Sequence, residues 1–234
     1  MKKSYIVFGA GGSIGSAIVG HLRGGGHWVV SSPRKKNDQP GAVPENYSQG
    51  VIKVMEDVSN RKLLDLYVRD VSKDKRFDGV IYAVGHCPPN GFPDAIKYPL
   101  SQLPLDEYQR EVDMHQFGAL NVFQSMIPYM KDGGLFLFIT SAITRFEVLP
   151  PFLHAYHHTS VIAAEDWLIR GMRADPTVVG RNIKIHRIAP SAINTAFHHA
   201  GPQPPKLLQI ADVAGAVMEA IESDVNVDRV MLPG

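Results

Sequence analysis

The chain has 234 residues, 44% of them apolar, with 24 basic and 23 acidic side chains. That near-balance excludes a nucleic-acid or membrane-surface partner selected by bulk charge, and the single cysteine, Cys87, excludes an intrachain disulfide. No run reaches the roughly 18 apolar residues of a membrane span. No signal peptide is expected, because glycines cut the first apolar run of MKKSYIVFGAGGSIG, and the cysteine usage fits a reducing cytoplasm.

In chain order, YIVF (Tyr5–Phe8) is a short apolar run that stops at glycines, as a buried parallel strand does. SIGSAIVGHLRGGG then shows helical spacing through Ile14, Ile18, Val19 and Leu22, ending at Gly24–Gly26. HWVVSS is a second strand, the polar stretch from Pro33 to Gly50 a loop, and GVIKVMEDVS a third strand ending near Asp57. NRKLLDLYVRDVSKD is an amphipathic helix and FDGVIYAVG a fourth strand. The long helical stretch PLDEYQREVDMHQFGALNVFQSMIPYM is a candidate for a kink. It is followed by the strand GGLFLFITS, a loop, a helix over about Tyr156–Arg173, the strand NIKIHRIAPS, the helix QIADVAGAVMEAIES and a last short strand, VDRVML. Strand and helix alternate over residues 1–234 without linker or repeat. The pattern predicts one α/β domain, a doubly wound parallel sheet with helices on both faces and its ligand at the carboxyl ends of the strands.

FGAGGSIG (Phe8–Gly15) lies where a strand hands over to a helix. Glycines there let the backbone turn sharply and approach a phosphate, and the helix amino terminus supplies unpaired N–H groups and partial positive charge. A ligand-free glycine turn is the bland alternative, and the strand and helix on either side favour dinucleotide binding.

This motif resembles the fingerprint of the short-chain dehydrogenase/reductase family: Gly9 and Gly15 match its outer glycines and Ile14 its aliphatic residue, whereas Phe8 replaces the usual threonine and Ser13 the middle glycine. Three further stretches fall in register with the family. EDVS places Asp57 like the aspartate that contacts the adenine ring, YAVG (Tyr82–Gly85) resembles NNAG, and PSAINT (Pro190–Thr195) resembles the PGxxxT segment beside the nicotinamide. The resemblance implies a Rossmann-type fold and a nicotinamide cofactor held by Gly9, Gly11, Gly12, Ser13, Ile14, Gly15, Asp57, Val58, Ala83, Val84, Gly85, Pro190, Ser191, Ile193 and Thr195. Enzymes of the family that prefer NAD place an acid at the end of the second strand. Here that position is Pro33, followed by Arg34, Lys35 and Lys36, which suits the 2′-phosphate of NADP, with Arg34 as the residue to contact it.

The resemblance also implies a catalytic serine, tyrosine, lysine and asparagine. Ser141 matches the serine, and His115 occupies the asparagine frame set by Gly118 and Pro128. Two registers compete for the tyrosine and lysine. Tyr156 with Ser160 keeps the tyrosine but lies two residues too far from Ser141; His154 with His158 keeps both intervals and puts Val161, Ala164 and Leu168 on the core face. In the first register a neutral hydroxyl replaces the ammonium that lowers a phenol from its pKa near 10. In the second, a histidine titrating near neutrality is the general acid. In neither is the usual tyrosine–lysine pair present.

His154 and His158 are spaced as two ligands on one helical face, with His115 able to approach, but no cysteine or well-spaced carboxylate completes a metal set in the sequence, and no metal is expected. His198 and His199 fall where the family carries a substrate lid. Ile162, Trp167 and Ile169 lie off the main stripe of the helix after Tyr156, apolar surface that needs a partner. Such helices form subunit contacts in the family, implying a homodimer or homotetramer. The reading is an NADP-dependent oxidoreductase that interconverts a carbonyl and an alcohol on a small organic molecule with an altered catalytic centre. The alternative is an NADP-binding relative without redox turnover.

Overall fold

Seven parallel strands form one sheet in the order β3-β2-β1-β4-β5-β6-β7 in the computed structural model, which describes residues 1–34, 50–55, 57–85, 97–145, 155–195 and 206–232. The strands are β1 (Ser4–Phe8), β2 (Trp28–Ser32), β3 (Gly50–Ile52), β4 (Phe77–Tyr82), β5 (Met130–Ile139), β6 (Lys184–Pro190) and β7 (Asp228–Met231). The described helices are α1 (Ser13–Gly24), α2 (Arg61–Val71), α3 (Leu105–Val112), α4 (Ala119–Met126), α5 (Tyr156–Ala174), α6 (Pro176–Gly180) and α7 (Ile210–Ile221).

Both faces of the sheet are covered, which is why the central strands read as unbroken apolar runs. Side chains alternate across each strand. Tyr5 and Val7 of β1 pack with Ile18 and Leu22 of α1 and Val213 and Val217 of α7. Ile6 and Phe8 face the other way, onto Leu64 and Val68 of α2, Val122 and Met126 of α4, and Ile169 of α5. Strand order reverses between β1 and β4, and a crevice for a ligand opens at such a switch point.

Two details differ from the sequence expectation, and a third gives an expected feature its form. β3 ends at Ile52 instead of running to Asp57. It is an edge strand paired only with β2, whose continuation is Pro33; beyond Ile52 only single backbone bonds persist, Lys53 N–H to Ser31 at 3.0 Å and Met55 N–H to Pro33 at 2.9 Å. The long helical stretch is broken between α3 and α4 by a π-helical turn over Asp113–Gly118, the physical form of the expected kink. α6 was not foreseen: Asp175 caps it by accepting the Thr177 N–H at 2.8 Å, and Pro176 occupies its first position.

α5 is tied to the sheet by charge as well as by packing. The buried Arg187 of β6 donates to both Asp166 oxygens of α5 at 2.5 and 2.6 Å and to Asp228 of β7 at 2.6 Å. The apolar excess expected on this helix is smaller than the sequence suggested: Ile162 and Ile169 are buried, and of the three only Trp167 is exposed, at 72%, with the Arg170 guanidinium 5.2 Å from its ring. Among the described residues no helix is long and apolar enough to cross a membrane.

Candidate functional site

The glycine loop is built for close approach. Gly9 has φ +78°, and a Cβ there would lie 2.3 Å from the Ala83 carbonyl oxygen of the neighbouring β4 end; a Cβ on Gly15 would lie 2.2 Å from the Gly9 carbonyl oxygen. Only glycine fits either position. Gly12 caps α1 in extended conformation, its N–H bonded to the Gly9 carbonyl at 3.1 Å, and a Cβ there would meet that oxygen at an ordinary 3.5 Å. Ser13, exposed at the first position of α1, does not close the loop. Gly11 and Ile14 are half-buried beside it.

The remaining predicted cofactor residues sit at carboxyl ends of strands. Asp57 is exposed, one oxygen accepting the Ser59 N–H at 2.8 Å and the Ser59 hydroxyl at 2.6 Å. Asn121 of α4 holds that turn by donating to the Val58 and Ser59 carbonyls at 3.3 and 2.8 Å. Ala83, Val84 and Gly85 follow β4, and Arg34, exposed, follows β2. Pro190 ends β6, Ser191 N–H donates to the Met231 carbonyl at 2.9 Å, and Ile193 bridges to Leu208 just before Thr195. The hydroxyl oxygens of Ser191 and of Thr140, beside Ser141, are buried without a hydrogen-bond partner. Lys35, Lys36, Cys87, His154, His198 and His199 lie outside the described residues.

The π turn carries His115 toward α5. Within it the Met114 carbonyl accepts the hydroxyl of Tyr82, at the end of β4. Tyr82 is fully buried, and burial, with the Glu165 and Asp57 charges, pushes its phenol well above the usual range. Gly118 closes the turn because a Cβ there would stand 2.5 Å from the Tyr82 hydroxyl and 2.7 Å from Val58.

Next to Met114, His115 points inward and is buried. Its Nδ1 lies 3.0 Å from Oε2 of Glu165 on α5, and its Nε2 lies 3.6 Å from Oε2 of Glu111, one turn back on α3. The same Glu111 oxygen is 2.8 Å from Nδ1 of His158. Glu165 has no exposed surface. Burial lowers the affinity of His115 for a proton, but the two carboxylates outweigh it and hold its pKa above the ordinary value. Burial raises the Glu165 carboxyl against the pull of His115. Two carboxylates flank the one imidazole, which favours its protonated form. Ser141, half-buried, uses its Oγ to accept the Ile143 N–H at 3.2 Å.

The described members of the two registers, His158 on one side and Tyr156 with Ser160 on the other, thus fall on different faces of α5. His158 joins the inner face with Val161, Glu165 and Ile169, whereas Tyr156, 44% exposed, and Ser160 point outward. The Ser160 hydroxyl donates back to the His157 carbonyl at 2.7 Å. The sequence reading named His115 and His158 but missed Glu111 and Glu165. The signal was present: Glu111 precedes His115 by four residues and Glu165 follows His158 by seven, both same-face spacings on a helix.

The family model for short chain dehydrogenases matches residues 3–204. The chain belongs to the short-chain dehydrogenase family. Among curated relatives, an uncharacterised oxidoreductase of Staphylococcus aureus is 27% identical over 234 residues, covering 97% of this chain and 95% of its own. One of Listeria innocua is 26% identical over 205 residues, covering 83% and 75%. Among solved structures, a short chain dehydrogenase of Burkholderia cenocepacia in complex with NADP has TM-score 0.79 at 19% identity, covering 99% of this chain and 89% of its own. A blue fluorescent protein from a metagenomic library in complex with NADPH has TM-score 0.82 at 18% identity, covering 98% and 96%. At those identities the likeness carries the family fold.

Proposed function

We propose that this short-chain dehydrogenase is an NADP-dependent oxidoreductase that interconverts a carbonyl and an alcohol on a small organic molecule, with a histidine–glutamate cluster in place of the tyrosine–lysine pair. The observation that carries the reading is the pair Gly9 and Gly15 at the switch point, where a Cβ would strike the backbone of Ala83 or of Gly9 and break the tight turn that presents the α1 amino terminus to a pyrophosphate. The unpartnered hydroxyls of Ser191 and Thr140 also fit a polar ligand, since buried polar groups seek partners. NADP when bound supplies the hydride chemistry. The chain's residues bind and orient: the α1 amino terminus receives the pyrophosphate, Asp57 and Val58 border the adenine, Arg34 meets the 2′-phosphate, and Pro190–Thr195 flank the nicotinamide.

Ser141 orients the substrate oxygen in this reading. His158, backed by Glu111, takes the place of the lysine, and His115, backed by Glu165, that of the asparagine; His154 is the proton donor that keeps the family interval. The inward face of His158 and the outward face of Tyr156 support this choice over the Tyr156–Ser160 register. Holding hydride donor and acceptor together supplies much of the rate and needs no lysine. The exposed Leu105, Phe117 and Trp167, on α3, the π turn and α5, support a homodimer or homotetramer.

The outward Tyr156 and the missing lysine favour one second reading, an NADP-binding protein without redox turnover. Titration with NADPH and NADH by nicotinamide fluorescence, followed by a panel of ketones and aldehydes, separates the two. Tight NADPH binding with oxidation by a carbonyl is expected. Binding without oxidation across the panel moves the chain to the second reading, and no binding of either nucleotide overturns both.

A further inference from the structure

The cluster between α3, the π turn and α5 has the composition and arrangement of a metal site. Glu111, His115 and His158 each offer one ligand atom, and the three atoms lie within 4.8 Å of one another. The objection from sequence was a missing carboxylate, and Glu111 supplies it from the turn before His115. Atoms ligating zinc tetrahedrally stand roughly 3.4 Å apart. His115 Nε2 and Glu111 Oε2 are at 3.6 Å, Glu111 Oε2 and His158 Nδ1 at 2.8 Å, and all three ligand atoms lie within 4.8 Å of one another, so binding an ion opens the Glu111–His158 contact and resets the spacing of the two imidazoles.

A second observation is independent of these three atoms. The other nitrogen of His115, Nδ1, is 3.0 Å from the fully buried Glu165 carboxylate. A histidine that ligates a metal characteristically donates its remaining ring N–H to a carboxylate, which fixes the tautomer and turns the free lone pair toward the ion. Glu165 does this for His115, leaving Nε2 directed to Glu111. The other Glu165 oxygen, Oε1, is buried with no hydrogen-bond partner, so the carboxylate serves this imidazole alone among the described residues. The groups come from facing helices, the usual way to build a metal site between helices.

We propose that Glu111, His115 and His158 bind one divalent transition-metal ion of the zinc class, with Glu165 as the hydrogen-bond acceptor that positions His115. Two imidazoles and one carboxylate suit zinc, cobalt or nickel better than magnesium or calcium, which take oxygen ligands. Three protein ligands leave a coordination position open, as in sites that hold a water or a substrate. His158, with 29% of its side chain exposed, is the ligand nearest solvent. The site uses the residues that the reductase reading places at the lysine and asparagine positions, but metal binding is measured without cofactor or turnover, so its failure and the failure of that reading are distinguishable.

The test is metal binding by the full-length protein after chelation and dialysis, titrated with Co2+ and followed by its visible ligand-field absorption, then with Zn2+ in competition. One equivalent per chain is expected. His158→Ala and Glu111→Gln should each abolish the cobalt bands, and Glu165→Gln should weaken binding by about 10–100-fold. Melting curves establish that each variant is folded. Because His158 is partly exposed, its replacement tests the site even where a change at buried His115 prevents folding. No saturable binding in the wild-type protein overturns the proposal. Binding of equal strength in the folded His158→Ala variant also overturns it, since the ion then sits elsewhere, for instance at His198 and His199.

Discussion

His158 on α5 and Glu111 on α3 meet at 2.8 Å, and the contact fixes which side of α5 faces the interior. With His158 inward, Tyr156 and Ser160 are outward.

The glycine cradle is the first thing to probe. Gly9→Ala places a methyl 2.3 Å from the Ala83 carbonyl oxygen in a left-handed backbone conformation, so it should cost about 3 kcal/mol of stability and remove nucleotide binding. Gly20→Ala, in α1 with open space around its Cβ, should instead stabilise by up to ~1 kcal/mol and leave binding intact. Thermal melts and an NADPH titration on both variants check this.

In the proposed NADP reading, cofactor choice rests on Arg34. Reversing its charge with Arg34→Glu should weaken NADPH by about 10–100-fold, the worth of a charge-assisted hydrogen bond, and change NADH little. Equal losses for both nucleotides would place Arg34 away from the 2′-phosphate.

The anchor of α5 is Arg187. Arg187→Met leaves Asp166 and Asp228 facing each other's neighbourhood without the cation that links them, and should destabilise the fold by about 3–5 kcal/mol in urea unfolding.

Most of the fold was legible because strand and helix alternate and both sheet faces are covered, so apolar runs mark strands and 3.6-residue stripes mark helices. β3 was overextended because an edge strand stops where its one partner stops, which its own residues do not encode. The tight glycine loop was legible from local spacing. The histidine–glutamate cluster was only half legible: His115 and His158 are separated by 43 residues in the chain, and His115 lies in the π turn that interrupts its helix. The competing registers differ by two residues, and two residues turn a helix by more than half a circle, so the chemistry depended on a rotation that spacing alone left open.

Acid should expose another buried histidine. His186 of β6 is fully buried, its Nδ1 accepting the Val227 N–H at 3.0 Å, and burial first, then the Arg173 and Lys184 charges, push its pKa down to about 4. The unfolded chain takes up this proton near pH 6.5, and the folded chain does not until about pH 4. The neutral imidazole's full contribution is therefore present above pH ~6.5 and lost as pH falls toward ~4, on the order of 3 kcal/mol in all. Urea midpoints measured at pH ~7 and ~4.5 should show the loss, and His186→Gln should lack that part of it.

The most direct test of the account is NADPH-driven reduction of the best carbonyl in the panel by the wild-type protein, His158→Ala and Tyr156→Phe, with folding and NADPH binding measured alongside. The histidine–glutamate centre predicts that His158→Ala loses about 100-fold in kcat/KM while Tyr156→Phe stays within about threefold of wild type. The reverse pattern, with Tyr156→Phe inactive and His158→Ala near wild type, would contradict it and return the proton to the tyrosine.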